Sequence, residues 1–377
     1  MKLNPLQNQV GGHDGVLSMG EENEIIVKPS LPQEHHFYEE AVLHPELQSW
    51  MPAYYGSLTL TRSLQEHSST GLSEEALGAA PTITALNGYP VTGFMSADQD
   101  QGEEHQQGLP SSAAALLQQA YDHGGEEVQL QASKSTDPDE DECLCLENVS
   151  HGFKKACILD LKLGIQLYDD NASDAKKARL GAVSDNTTSG NFGIRLTGFQ
   201  VYDSAKDDFT KYSKDYGKSL TENTILDGFR AFFSAQLGPE RMRLVIERFV
   251  NDLADFLSTI QTQEVRMRSS SLLMMYEGDV EAFDEGLVME QEKINAAVTR
   301  AKAHLEKDGE KTDDEDDDDD DYDDDEVSQK VTDMRLIDFA HSTFTPGMGP
   351  DEGVVLGVKS AMMFFDRLLQ EDYPDEA

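Results

Sequence analysis

The chain has 377 residues, with 30 basic against 72 acidic side chains, a formal net charge of −42 and 38% hydrophobic residues. That length fits one large domain or two modest ones, and so acidic a balance argues against general nucleic-acid binding, which rests on Lys and Arg neutralising phosphates. No apolar run approaches the roughly 18–20 residues that span a bilayer. The first fifteen residues hold no apolar stretch of the signal-peptide kind. Three cysteines (Cys143, Cys145, Cys157) make no disulfide framework in so long a chain, so an intracellular, reducing setting follows.

In chain order, residues 24–29 read as a strand that ends at a proline, 37–43 as a helix ahead of Pro45, and 57–60 as another strand. Residues 61–142 are polar and acidic with few aromatics. A short helix fits 111–121, and the rest reads as a disordered insertion. Residues 143–146 and 156–161 are apolar runs around 148–155, a strand–turn–strand pattern. A helix follows Ser219 and Thr221, with Ile225, Phe229, Phe232 and Phe233 on its apolar face. The clearest helix is 239–264, where apolar residues recur at three- and four-residue steps and Pro239 suits the first turn. Residues 270–276 and 334–337 read as buried strands. Between them, 313–326 read DDEDDDDDDYDDDE, thirteen acids in fourteen positions, a self-repelling run that predicts disorder. An amphipathic helix closes the chain over about 354–369. Strands first, then mixed helices and strands, indicate an α+β protein with a strand-rich N-terminal part and a larger C-terminal part.

Residues 150–220 carry eleven basic and nine acidic side chains, a net +2 inside a chain of −42. A local basic excess in an acidic protein points to a small anionic ligand. Within it, Asp160-Leu-Lys162-Leu-Gly164 ends an apolar strand. Residues two apart project from one face of a strand. An acid and a base side by side suit phosphoryl transfer: the acid orients or takes the proton of a hydroxyl, and the lysine neutralises the migrating group. Lys176 and Arg179, three apart, share a helix face. Asp338 closes the strand of Ile337-Asp-Phe-Ala-His341, where an acid can hold a divalent ion. Lys28 on the first strand suits nucleotide phosphates. No G-x-G-x-x-G and no Walker A motif occurs. The order strand lysine, D-x-K, strand aspartate is that of a two-lobed kinase. Cys143-x-Cys145 has no partner pair at zinc spacing and reads as core thiols.

At these residues the sequence resembles the inositol polyphosphate kinase family. Its signature P-x-x-x-D-x-K-x-G reads here Ala156-Cys-Ile-Leu-Asp160-Leu-Lys162-Leu-Gly164, with Ala156 in place of the proline. Ser270-Ser-Leu-Leu273, Ile337 to His341, Gln9 to Gly15, Lys28-Pro29, Met51 to Gly56 and Tyr216 to Leu220 fit the same family. Tyr168 to Ser173 and the acidic tract resemble its multikinase branch, the fungal members above all. The hexakisphosphate kinases, which share the Leu-Glu-Asn hinge, come second.

The resemblance implies a two-lobed, protein-kinase-like (SAICAR synthase-like) α+β fold. The N-lobe would be 1–60 plus 143–149, and the C-lobe 150–310 plus 327–377, with an inositol-phosphate segment at about 165–200 and a disordered loop at 311–326. It implies ATP and Mg2+ as cofactors. Lys28 would meet ATP phosphates, backbone groups of Glu147 and Val149 adenine, Asp160 the ribose or the accepting hydroxyl, Lys162 the transferring phosphoryl, and Asp338 the magnesium. His341, Lys176 and Arg179 would face a soluble inositol phosphate. That substrate is expected to be inositol 1,4,5-trisphosphate, phosphorylated at the 6- and 3-hydroxyls, with a hexakisphosphate kinase as the alternative. A transcription-complex scaffold, with the poly-Asp tract binding transcription factors or other basic proteins, is the alternative of another class. A monomer of nucleus and cytoplasm, with no direct nucleic-acid or membrane contact, completes the expectation.

Overall fold

Two antiparallel sheets, each with its own hydrophobic layer, organise the computed structural model, which describes residues 3–6, 15–20, 22–61, 82–87, 140–307 and 329–373. The first sheet comprises β1 (Asn4–Pro5), β2 (Leu17–Met19), β3 (Ile25–Pro29), β4 (Tyr54–Thr61), β5 (Thr82–Asn87) and β6 (Glu140–Glu147), in the order β1-β2-β3-β6-β4-β5. The second comprises β7 (Ala156–Leu163), β8 (Ile194–Asp203), β9 (Asp208–Tyr212), β11 (Ser271–Glu277) and β12 (Thr332–Ile337), in the order β12-β11-β7-β8-β9. A small ladder pairs β10 (Val265–Met267) with β13 (Ser342–Phe344). The expected helix at 111–121 and the tract at 313–326 lie outside the described residues.

The apolar runs flanking 148–155 are strands, but they do not form a hairpin. β6 pairs with β3 and β4, whereas β7 pairs with β8 and β11. Residues 148–155 therefore cross from one sheet to the other. The reason is burial: every residue of β7 except Lys162 is buried, so each strand needs partners on both sides. Cys143 and Cys145 are buried core thiols, as their alternation suggests. Burial pushes the thiols of Cys145 and Cys157 up to about 12 and so leaves them unreactive.

Helix α1 (Pro32–Ala41) starts five residues earlier than the periodicity indicated, with Pro32 in its first turn. It packs against the second half of the molecule, Phe37 stacking on Phe339 and Phe344 with ring centroids 4.6 and 4.8 Å apart. The short α2 (Pro45–Gln48) follows. Helix α3 (Asp174–Asp185) packs on α4 (Thr188–Phe192), which with α5 (Lys214–Ser219) and α6 (Ile225–Phe232) packs on β8. The long α7 (Pro239–Ile260) stops short of 264 because Val265 to Met267 are taken as β10. It buries Val245, Ile246, Phe249, Leu253 and Phe256, and packs on α9 (Glu352–Asp372).

Several elements escape the sequence pattern, among them β8 and β9 of the second sheet, β5 and the long helix that follows β11. β5 lies inside the stretch read as an insertion, where its Thr-Ile-Thr run extends the sheet beyond β4. Helix α8 (Val280–Lys307) spans 28 residues. Phe283, Leu287, Ile294 and Val298 recur at four- and seven-residue steps along it, although residues 291–300 are all exposed.

Two glycines make opposite predictions. A Cβ on Gly217 in α5 would collide with the Leu196 carbonyl of β8, whereas one on Gly181 in α3 would meet only Tyr168 Cε1 at 3.9 Å. Gly217→Ala should cost at least about 2 kcal/mol of stability. Gly181→Ala should gain about 0.5–1 kcal/mol through helix propensity. Urea midpoints check both signs.

Candidate active site

Three carboxylates (Glu34, Asp160, Asp338) and three cations (Lys28, Lys162, Arg195) meet where the two sheets face each other. The Lys28 ammonium on β3 donates to Glu34 Oε1 of α1 at 2.8 Å and to Asp338 Oδ1 at 2.8 Å. Glu34 is itself buried and also accepts from the Phe339 backbone N–H at 3.2 Å. Burial alone would lower the Lys28 pKa, but Asp338 and Glu34 outweigh it and hold the pKa above the usual lysine value. Lys28 is therefore charged at all working pH. Asp338, just past β12, sits at φ +67°, a left-handed conformation that side-chain-bearing residues rarely adopt.

On β7, Asp160 is 2% exposed and its Oδ1 has no hydrogen-bond partner among the described residues. Burial raises its pKa, and the neighbouring Lys162 opposes that shift. Lys162 donates to the Ser269 carbonyl at 2.6 Å and stands 3.8 Å from Asp338 Oδ2. Lys28, Asp338 and Lys162 thus form one continuous chain, with Asp160 beside its end. The structure brings residues 28, 160, 162 and 338 together.

Two members of the site lie outside the residues to which the sequence assigned a role, Arg195 standing only as a reserve candidate for the inositol pocket. Arg195 on β8 is the register partner of Lys162. It is buried, and its Nε and Nη1 have no hydrogen-bond partner among the described residues. Burial lowers its pKa, and Asp160 counters this. A single basic residue among the ten of β8 was the available signal. Glu34 is the one that was missed. It lies three and four residues before Phe37 and Tyr38, so an acid shares the buried face of a helix.

Further along the cleft, His341 Nδ1 lies 3.6 Å from Asp169 Oδ2. Burial, then Lys176, lowers the His341 pKa, with Asp169 opposing; the imidazole is neutral at pH 7. Ser173 caps α3 by accepting from the Lys176 backbone N–H, which sets the half-buried Lys176 side chain close enough to influence His341. Arg179 is not brought into this group. It is exposed on α3, with no ion pair among the described residues. Part of the basic excess of 150–220 is also spent elsewhere, since Lys154 pairs with Asp279 at 3.0 Å and Lys155 with Asp207 at 2.7 Å.

The crossing segment forms the edge of the cleft. The Glu147 backbone N–H donates to Ala53 O, and the Glu147 carboxylate accepts from Ala53 N–H at 3.1 Å. Asn148 ties back to Glu24 O and Asn23 O. The Val149 N–H has no hydrogen-bond partner among the described residues, while its carbonyl accepts from Lys330 Nζ at 3.1 Å.

The arrangement suits a polyanion carried with a divalent ion. Among the described residues no group of three or more His, Cys, Asp and Glu could hold a metal unaided. Mg2+ is commonly held by one or two carboxylates plus phosphate oxygens, and Asp338 offers such a carboxylate. No helix of the described residues is long and apolar enough to cross a membrane.

Comparison with known proteins finds relatives over nearly the whole chain. The family model for inositol polyphosphate kinase matches residues 143–366. The chain is 29% identical over 390 residues to the Saccharomyces cerevisiae inositol polyphosphate multikinase, covering 96% of this chain and 97% of the relative. It is 27% identical over 407 residues to mouse inositol hexakisphosphate kinase 3, covering 95% and 93%. Among solved structures, the S. cerevisiae multikinase Ipk2 in complex with ADP and Mn2+ superposes with a TM-score of 0.55 at 27% identity, over 92% of this chain and 99% of that one.

The environment of Asp160 generates a prediction about stability. A carboxyl whose native pKa is raised binds its proton more tightly folded than unfolded, so its ionisation erodes stability as pH climbs from the unfolded value near 3.9 through the native one. Asp160→Asn removes that loss. Its urea midpoint at pH 7 should exceed that of the wild type, and the two should converge as the pH falls towards 4. Parallel denaturation series at the two pH values test the sign.

Proposed function

The chain belongs to the inositol polyphosphate kinase family, and from that premise we propose that it is a multikinase: it transfers the γ-phosphoryl group of ATP to soluble inositol 1,4,5-trisphosphate, at the 6- and 3-hydroxyls in turn. The observation that carries this reading is the chain Lys28–Asp338–Lys162 with the buried Asp160 beside it. The lobes divide the work: 1–60 with 143–149 on the nucleotide side, the C-terminal part on the inositol side.

Lys28 takes the nucleotide phosphates, and its second bond to Glu34 keeps it in place. The Glu147 carbonyl and the Val149 N–H meet the adenine edge. Asp338 would hold Mg2+, which when bound would supply positive charge to the phosphates. Asp160 orients the accepting hydroxyl and takes its proton, a task that the raised pKa favours. Lys162, already close to Asp338, neutralises the group in transit. Lys176, His341 and Arg195 hold phosphates of the acceptor, and Arg195 brings two guanidinium nitrogens with no other hydrogen-bond partner among the described residues. Arg179 contributes only long-range attraction. The poly-Asp tract, outside the described residues, remains a docking segment for basic proteins, and the enzyme acts as a monomer.

The likeness to a hexakisphosphate kinase over nearly the whole chain supports a second reading, the making of inositol pyrophosphates. One assay separates them. The protein is incubated with ATP, Mg2+ and either the trisphosphate or the hexakisphosphate, and products are resolved by charge. Tetrakis- and pentakisphosphate from the trisphosphate are the expected result. A product more charged than hexakisphosphate, with the trisphosphate untouched, would favour the second reading. No transfer to either would overturn both.

Single substitutions follow from the same roles. Asp338→Asn should lower kcat by more than tenfold, since several kcal/mol of transition-state charge stabilisation depend on the metal. Lys176→Ala should lower kcat/KM for inositol phosphate by about tenfold or more, the loss of one charge-assisted contact. It should leave the KM for ATP within about threefold. Arg179→Ala should change either constant by less than about twofold. Steady-state kinetics with each substrate varied in turn reads all three.

A further inference from the structure

The segment between the sheets is braced from the C-terminal side by a residue that the proposed reaction does not use. Lys330 lies just ahead of β12. Its backbone N–H donates to Gly152 O at 2.8 Å. Its ammonium donates to the Val149 carbonyl at 3.1 Å and to Asp333 Oδ2 at 3.0 Å, stands 3.8 Å from Glu147 Oε1, and lies 5.9 Å from the centre of the Phe153 ring. Arg335 completes the frame. It donates to Asp333 Oδ1 at 2.9 Å, approaches Glu147 Oε1 at 3.9 Å, and reaches the Ser49 carbonyl at 3.3 Å.

These contacts hold residue 149 from both sides. On its N-terminal side, Asn148 is tied to Glu24 and Asn23, and its Oδ1 accepts from the Ser150 N–H at 3.2 Å. On its C-terminal side, the carbonyl is fixed by Lys330. What is left over is the Val149 N–H, a donor with no hydrogen-bond partner among the described residues, on a backbone that cannot turn away. A donor fixed in advance costs less ordering when a ligand binds.

We infer that Lys330 is a positioning residue for the nucleotide: by holding the Val149 carbonyl it aims the Val149 N–H at the ring-nitrogen acceptor on the adenine edge. The inference rests on the reading of Glu147 to Val149 as the adenine-binding segment. Lys330 touches neither substrate, so its effect belongs to nucleotide affinity alone. Asp333 and Arg335 act through it, Asp333 holding the ammonium and Arg335 balancing the charge of both Asp333 and Glu147.

The test compares ATP with 1-deaza-ATP, which keeps the amino group but lacks the ring nitrogen that would accept from Val149. Wild type should use ATP with a clearly lower KM than 1-deaza-ATP. Lys330→Met should raise the KM for ATP about fivefold, the worth of one neutral hydrogen bond. It should leave the KM for 1-deaza-ATP, the KM for the inositol phosphate and kcat each within about twofold. Lys330→Arg, which keeps a donor, should restore most of the ATP affinity. An unchanged ATP KM in Lys330→Met would overturn the inference, as would an equal rise for both nucleotides, which marks a structural role only. If wild type does not distinguish the two nucleotides, the adenine-segment reading itself fails and takes the inference with it.

Discussion

One ammonium group holds the two halves of this molecule in register. Lys28 belongs to the first sheet, Glu34 to α1, and Asp338 to the end of β12 in the second sheet, and all three meet within 2.8 Å contacts. Lys28 and Glu34 have little water around them. A buried ion pair of this kind adds little net stability, because desolvation offsets the attraction. Stability at this junction comes instead from apolar contact, above all Phe37 stacked on Phe339 and Phe344. What the charges contribute is position. Two carboxylates sharing one cation leave a net negative charge, and Lys162 at 3.8 Å from Asp338 offsets it. The sequence of charges across the cleft is thus acid, base, acid, base.

That alternation explains how a protein of net charge −42 can offer a pocket to a polyanion. The cleft satisfies its cations with its own carboxylates and carbonyls: Lys28 on Glu34 and Asp338, Lys162 on the Ser269 carbonyl. Incoming phosphates compete with these internal acceptors rather than with bulk water. Asp160 and Arg195 are the exceptions. Each is buried with a polar atom that has no hydrogen-bond partner among the described residues, and each is shifted by burial towards its neutral form. Groups held at such cost are common where chemistry is done. The left-handed backbone at Asp338 and at Ser269, the two residues that contact Lys162, adds local strain at the same point.

Much of this was legible in the sequence because it is local. A two-residue spacing puts Asp160 and Lys162 on one strand face, and an acid at the end of an apolar run marks Asp338. Arg195 and Glu34 were not legible in the same way. Arg195 joins the site through the register of β8 against β7, and Glu34 meets Asp338's neighbour Phe339 across 305 positions of chain; neither relation is encoded in spacing. Arg179 shows the converse limit. Three-residue spacing places it on a helix face near Lys176, but only packing decides which part of that face meets the cleft. The β6 and β7 runs likewise announce strands without announcing which sheet each joins.

The central claim is that the triphosphate of ATP enters between Lys28 and Asp338 and takes over the contacts that these residues now make with each other. A crystal structure with a non-hydrolysable ATP analogue and Mg2+ tests it most directly, through the distances around Lys28 Nζ. The account predicts that Lys28 keeps Glu34 and exchanges Asp338 for a phosphate oxygen, with the metal on Asp338 and the adenine edge against Val149. A nucleotide bound elsewhere, or bound here with the Lys28–Asp338 pair still closed at 2.8 Å, would contradict it.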